Sequence, residues 1–230
     1  MSTLPHSGQD LEVMYDRRFA GLEDYRNSVW RLLCDEYFSK WIPPGSSVLD
    51  LGSGYCEFIN NIDAAEKYAM DLNPATRLRA HADVRVLLQD CSSEWQVPPA
   101  SLDAVFTSNF FEHLPDKAAL ERTVQFAWRA LKPGGRLIAL GPNIRYTGPA
   151  YWDFYDHYVA LTDLSLKELM SKCGFEIDHA VAQFLPYTMA NGRQYPAWVL
   201  RLYLALTPLW KVFGKQFLIV GRKQRDVLQQ

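Results

Sequence analysis

The sequence lacks an excess of either charge: 24 Lys and Arg stand against 26 Asp and Glu, a net charge of -2. Long-range attraction to a polyanion needs a basic excess or a clustered basic patch, so no nucleic-acid partner is expected. Cysteine is also sparse. The four present, Cys34, Cys56, Cys91 and Cys173, are widely spaced with no C-x-x-C pair, which argues against a zinc site or a disulfide framework and fits a reducing cytoplasm. No run reaches the roughly 18 uninterrupted apolar residues of a membrane-spanning helix. The opening MSTLPHSGQD is polar and has no apolar core of the signal-peptide kind. These absences point to a soluble chain, at most associated with a surface. Its 230 residues at 48% apolar content suffice to bury a sizeable core in one domain with additions.

What is present is an alternation of short apolar runs with helical patterns from Ser47 onward, the signature of a parallel sheet with crossover helices. Strands are expected at residues 48–51, 67–71, 84–88, 102–107 and 136–140. Between them Pro74 sits in the first turn of one helix, and Pro115 opens another that runs to Ala130 and stops at Lys132-Pro133-Gly134-Gly135. Ahead of the sheet lies an N-terminal helical segment, residues 1–46. Its first ten or so residues are expected to be disordered. Leu22, Tyr25, Val29, Leu32, Leu33 and Phe38 then follow helical spacing until Pro43-Pro44-Gly45 stops it. A later helix is expected over residues 162–173, with Ser165 as cap, Glu168 completing a capping box and Gly174 as the stop.

The stretch that organises the chain is VLDLGSGYCEF, residues 48–58. An apolar run ending in Asp50 reads as a buried strand, and Gly52 and Gly54 let the backbone turn tightly beneath a ligand. A dinucleotide fingerprint would need a third Gly at the sixth place from Gly52, where Glu57 stands. Asp50 and Glu57 would repel a pyrophosphate. They suit a ligand whose reacting end carries an ammonium and a sulfonium.

On this motif the chain resembles the class I S-adenosylmethionine-dependent methyltransferases, with Cys56 where that family most often has its third Gly. The match extends through YAMDLNP, LLQDCSSEW, LDAVFTSNFFEHLPD and LKPGGRLIALGPN and covers residues 48–222, most of the chain. The resemblance implies a Rossmann-like α/β fold: a seven-stranded, mostly parallel sheet with an antiparallel last strand and helices on both faces, filling residues 47–230. The last two strands would be residues 175–185 and 217–220. The implied cofactor is S-adenosyl-L-methionine, held by Asp50, Gly52, Gly54, Asp71 with Leu72, Asp90, Cys91 and Asn109. Asp71, 21 residues after Asp50, can accept both ribose hydroxyls or cap the helix near Pro74. Asp90 and the Cys91 backbone would meet the adenine, and Phe110 or Phe111 would offer a ring face to the sulfonium. The leading segment, with Tyr15, Arg17 and Arg18, would close over the cofactor.

In one branch of the family a Glu-His pair at the place of Glu112-His113 joins a carboxylate three residues earlier to hold a divalent metal. Asn109 occupies that earlier place here, so no metal is expected. After the fifth strand, GPNIRYTGPAYWDFYDHY interleaves aromatic rings with Asp153, Asp156 and His157. It reads as an acceptor platform, with Arg145, Tyr151, Trp152 and Tyr155 as candidate substrate contacts. A hydroxyl acceptor must lose its proton. His157 is the first candidate for that base and His113 the second, because an imidazole is poised near neutral pH. YDRRF, GPNIRY, YWDFYDHY and a late apolar insert further resemble methyltransferases of bacterial glycan and polysaccharide pathways, which implies O-methylation of a sugar, glycolipid or other small acceptor. N-methylation, carboxyl methylation and a non-catalytic binding module stay open. The insert, residues 187–214, is apolar, broken by Pro208 and flanked by Arg193, Arg201, Lys211 and Lys215. It reads as a packed helix, a dimer interface or a surface that meets lipid.

Overall fold

A computed structural model describes residues 21–187 and 194–224; Tyr15, Arg17, Arg18 and Arg193 lie outside the described residues. A seven-stranded sheet runs in the order β3-β2-β1-β4-β5-β7-β6. Its strands are β1 (Ser47–Leu51), β2 (Glu66–Asp71), β3 (Val84–Leu88), β4 (Leu102–Ser108), β5 (Leu131–Pro142), β6 (Phe175–Val181) and β7 (Gln216–Lys223). β1 pairs in parallel with β2 and β4, β2 with β3, and β4 with β5. β7 runs antiparallel between β5 and β6. This is the Rossmann-like arrangement expected, and its switch point falls beside β1, where the chain crosses from β3 back to β4.

The helices are α1 (Glu23–Glu36), α2 (Glu57–Asn61), α3 (Thr76–Arg79), α4 (Lys117–Ala130), α5 (Ile144–Thr147), α6 (Asp163–Lys172), α7 (Ala197–Ala205) and α8 (Thr207–Phe213). They cover both faces, and the strand sequences show why. Leu49, Leu51, Val105, Leu137 and Ala139 belong to one buried cluster. Their alternating neighbours Val48, Ala104, Phe106, Ile138 and Leu140 belong to the other. Successive side chains point to opposite faces, so a strand buried on both sides must be apolar at every position. On the second face α1 is part of the core. Trp30 and Phe38 pack on Phe106, with ring centroids 5.8 and 5.0 Å away, and Phe58 stacks on Phe106 at 3.6 Å.

Several boundaries differ from the sequence reading, β5 among them, which starts at Leu131 and not at residue 136. The cap of α6 is Thr162, which accepts from the Ser165 N–H, while the Ser165 hydroxyl accepts from the Thr162 N–H. Ser165 is thus the third helical residue, and Glu168 takes no part in the box. The reason is that Thr162 is still extended, so the orphan amides begin one turn earlier. β6 stops at Val181, short of residue 185, because the chain turns inward to bury Phe184 against Tyr37 and Trp210. α3 is a single turn, shorter than the pattern around Pro74 suggests.

Phe38 is fully buried at the junction of the leading segment and the sheet. Phe38→Ala should cost about 3–5 kcal/mol. Urea unfolding would give that loss as one cooperative transition; a small loss would mean that the segment before β1 packs only loosely on the sheet.

Candidate functional site

The turn after β1 is built from left-handed backbone. Gly52 has φ +70°, Gly54 +50° and Cys56 +63°. A Cβ on Gly52 would lie 2.2 Å from the ring of Phe110, so a side chain is excluded twice, by conformation and by space. Cys56 has no such freedom. An L-residue in the left-handed region costs about 1–2 kcal/mol, which explains why glycine suits this place and marks Cys56 as the strained member of the loop. The loop is tied down from β2: Gly52 N–H donates to Met70 O at 2.8 Å, and Gly54 N–H to Asp71 Oδ2 at 2.8 Å.

A cleft opens above this turn at the carboxyl ends of the strands. Asp50, Gly52 and Gly54 form its floor, and Ser108, Asn109, Glu112 and His113 from the end of β4 form one wall. Phe154 and His157 come from the loop after β5, Tyr187 and Gln216 from the far edge, and Arg26, Trp30 and Glu57 from the α1 side. Arg26 grips Glu57 with two bonds, Nε to Oε1 at 2.6 Å and Nη2 to Oε2 at 3.2 Å. Asn109, at φ +49°, turns the backbone so that its N–H reaches Leu140 O at 2.9 Å.

The two histidines meet in this cleft, their ring centroids 4.9 Å apart. His113 Nδ1 lies 2.9 Å from the Asp156 carbonyl and 3.1 Å from its carboxylate. His157 Nδ1 lies 2.8 Å from the Tyr151 carbonyl. A carbonyl oxygen only accepts, so each Nδ1 carries a proton, and whenever a ring is neutral its Nε2 is the basic nitrogen. The framework behind them is rigid, because Tyr158 N–H and Val159 N–H both donate to Glu112 O, at 2.8 and 3.1 Å.

Charge in the cleft is predominantly acidic. Burial pushes the Asp50 carboxyl well above the usual carboxylate range, and the charges of Asp71 and Glu57 push it further. Burial likewise raises Asp71, against donation from the N–H groups of Asn73, Gly54 and Leu72. Burial lifts Glu112 to about 7 although His113 beside it pulls the other way. Burial alone would lower His113, but its hydrogen bond to Asp156 and the charge of Glu112 outweigh that and raise it. Among the described residues, Glu112, His113 and His157 form a group whose ligand atoms all lie within 4.8 Å of one another, close enough to share a proton or a divalent cation.

The sequence-derived residues therefore divide. Asp50, Gly52, Gly54, Asn109, His113 and His157 line the cleft. Asp71 stands behind the floor, its carboxylate accepting from Gly54 and from Asn73 N–H at 2.9 Å. Leu72, Asp90 and Cys91 follow β2 and β3 outside the cleft lining, with Asp90 accepting from Ser92 N–H at 2.8 Å and the Cys91 thiol buried beside Thr123. The candidate acceptor contacts do not reach the cleft lining. Tyr151 is fully buried, its hydroxyl donated to Val159 O, and it serves to orient His157. Trp152 and Tyr155 face solvent, 55% and 84% exposed, and Arg145 is also exposed. Phe154, stacked on His157 at 5.1 Å, is the ring of that loop which lines the cleft. The reason is the three-residue spacing of Phe154 and His157 across a turn closed by His157 N–H to Phe154 O at 3.3 Å. Arg26, Trp30, Tyr187 and Gln216 went unnoticed in sequence. Only Arg26 has a counterpart in a motif of the sequence, Glu57, with which it pairs.

A methyltransferase-domain family model matches residues 22–180, more than half of the chain. The chain belongs to that family. Its fold is shared with a S-adenosylmethionine-dependent methyltransferase of Archaeoglobus fulgidus, 18% identical, with 92% of this chain and 99% of that one covered at TM-score 0.66. It is shared equally with one of Thermotoga maritima, 21% identical, covering 92% and 95% at TM-score 0.63. The [4+2]-cyclase SpnF, 17% identical, also aligns over 97% and 98% at TM-score 0.64. No curated protein matches the sequence. S-adenosyl-L-methionine is the cofactor of this methyltransferase, and the acidic lining of Asp50, Glu57 and Glu112 fits its sulfonium and ammonium.

Glu112 and His113 give the methyltransferase a definite pH response. Both groups are raised in the folded state, so both favour folding when protonated. For Glu112 that stability is full below its ordinary 4.5 and is lost as pH rises through about 7. Glu112→Gln should remove this slope, leaving the variant more stable than the parent near neutral and alkaline pH by on the order of 3 kcal/mol at most. Urea titrations of both proteins in acid and in mild alkali measure it, and parallel slopes would show that folding does not shift the Glu112 carboxyl.

Proposed function

We propose that the protein transfers the methyl group of S-adenosylmethionine to a hydroxyl of a small acceptor, a sugar or glycolipid being the class its sequence most resembles. The observation that carries the reading is the imidazole pair: two rings in one cleft, each donating Nδ1–H to a carbonyl, which makes Nε2 the basic nitrogen of the ring when it is neutral. The cofactor brings an already activated methyl group, so the chain's task is to align the acceptor, exclude water and take one proton. His157, 8% exposed and braced by Phe154 and Tyr151, is the proposed base. His113 with Asp156 positions it and is the second candidate. Asp50, Gly52, Gly54 and Asn109 would hold the methionine end of the cofactor, and Asp71, Leu72, Asp90 and Cys91 its adenosine. Arg26 joins them as a cation for the methionine carboxylate. Phe154 replaces Tyr151, Trp152 and Tyr155 as the first acceptor contact.

A second reading is favoured by the grouping of Glu112, His113 and His157. A divalent cation there would polarise the acceptor hydroxyl as a Lewis acid and lessen the need for a base. An amine or carboxylate acceptor, for which no base is needed, is the remaining chemical alternative. SpnF is by name a cyclase, so turnover must be tested and not taken from the fold.

Release of S-adenosylhomocysteine with a panel of sugars, phenols, amines and acids decides among these. His157→Ala should lower kcat by about 10²–10⁴-fold at unchanged cofactor affinity by calorimetry. Full turnover by His157→Ala and His113→Ala alike would remove the base, and loss of turnover in EDTA restored by one divalent cation would favour the second reading. Asp71→Ala should weaken cofactor binding at least about tenfold, since it frees the Gly54 amide and costs roughly one charge-assisted hydrogen bond.

A further inference from the structure

Helices α7 and α8 form a hairpin that is fixed on one side only. Trp210, 8% exposed, sits against Tyr37 and Phe184 and donates its indole N–H to Tyr203 O at 2.8 Å, and the Tyr203 hydroxyl donates to Phe184 O at 2.5 Å. These contacts use up the inward side. The outward side carries Trp198 at 64% exposure, Leu202 at 48%, Leu206 at 44%, Val212 at 70% and Phe213 at 56%, and α7 has no buried residue at all. Singly exposed apolar side chains are ordinary; five on one hairpin are an interaction surface.

The charge around it names the occupant. From His179 to Arg225 the chain contains no Asp or Glu, while Arg201 and Lys211 lie in the hairpin and Lys215 just after it. Lys211 and Lys215 are exposed, and Arg201 is anchored to Glu36 of α1 at 2.6 Å. A second copy seated on this face by two-fold symmetry would set these cations against their own counterparts with no acid of the hairpin between them. An anionic lipid surface instead meets apolar side chains with acyl chains and lysines with headgroups, and Trp198 is the type of ring that settles at that boundary. No helix among the described residues is long and apolar enough to cross a membrane. We infer that the α7–α8 hairpin is a peripheral docking surface for anionic lipid bilayers. The inference stands apart from the catalytic reading, since binding to vesicles needs neither cofactor nor turnover.

Co-sedimentation of the full chain with phosphatidylglycerol vesicles and with neutral phosphatidylcholine vesicles tests it. Binding should be strong to the first, weak to the second and reduced by salt. Lys211→Gln with Lys215→Gln should weaken partition by about 25-fold. Trp198→Gln with Val212→Gln and Phe213→Gln should abolish it while thermal unfolding stays cooperative. Should that triple variant fold poorly, quenching of tryptophan fluorescence by brominated acyl chains, diminished in Trp198→Phe, reads the same contact in a milder variant. Equal sedimentation with both vesicle types, or none with either, overturns the inference. So does a dimeric mass by light scattering that the triple variant returns to a monomer, which would give the face to a second copy.

Discussion

Buried negative charge at one edge of an apolar sheet is the constraint around which this protein is arranged. Asp50, Asp71 and Glu112 sit at or just beyond the ends of β1, β2 and β4, and burial raises all three above their ordinary values. Taking a carboxylate out of water costs several kcal/mol unless donors or a cation compensate. The local structure meets that cost differently at each of the three. Asp71 is wrapped by backbone N–H groups and so fixes the glycine turn. Glu112 lies beside an imidazole raised toward the charged form. Asp50 is helped by the Ile59 backbone N–H and has two like charges nearby, which a bound cation would offset.

The position of these acids at the strand ends is what connects fold to chemistry. A sheet covered on both faces exposes its strand ends only at its rims, and at the carboxyl rim the chain turns from β1, β2 and β4 into loops whose first side chains must converge. Here the convergence is tight because the loops bind one another: Glu112 O holds the segment after Asp156, and Gly52 admits Phe110 by having no Cβ. The imidazoles inherit their tautomers from this backbone. A base whose proton position is set by main-chain carbonyls does not depend on long, mobile side chains for its orientation.

The α1 side of the cleft follows from packing and not from electrostatics. Trp30 and Phe38 complete an aromatic cluster with Phe58 and Phe106, and this places Arg26 against Glu57 with both side chains nearly buried, 10% and 12% exposed. A bidentate pair of this kind satisfies Glu57 without removing Arg26 from the cleft. The hairpin of α7 and α8 is joined to the same face through Trp210, so the lipid surface inferred above and the cleft share one rigid support.

The amino-acid order by itself determined the sheet, the glycine turn and the acidic character of the ligand site, because those rest on local rules. A strand buried on both faces must be apolar throughout, a left-handed turn favours glycine, and Glu57 in place of a third glycine speaks against pyrophosphate. It also brought His157 and His113 forward as alternative bases, and the structure joins them across 44 positions of chain. Which aromatic ring faces the cleft was decided only by tertiary structure. Tyr151, Trp152, Phe154 and Tyr155 are alike in composition and adjacent in the chain, and the turn closed on Phe154 turns one of them inward, buries a second and leaves two in water. Arg26 and Gln216 reach the cleft for the same reason. Side chains brought together by packing across the sheet share no spacing in the chain, and spacing is the only distance a sequence records.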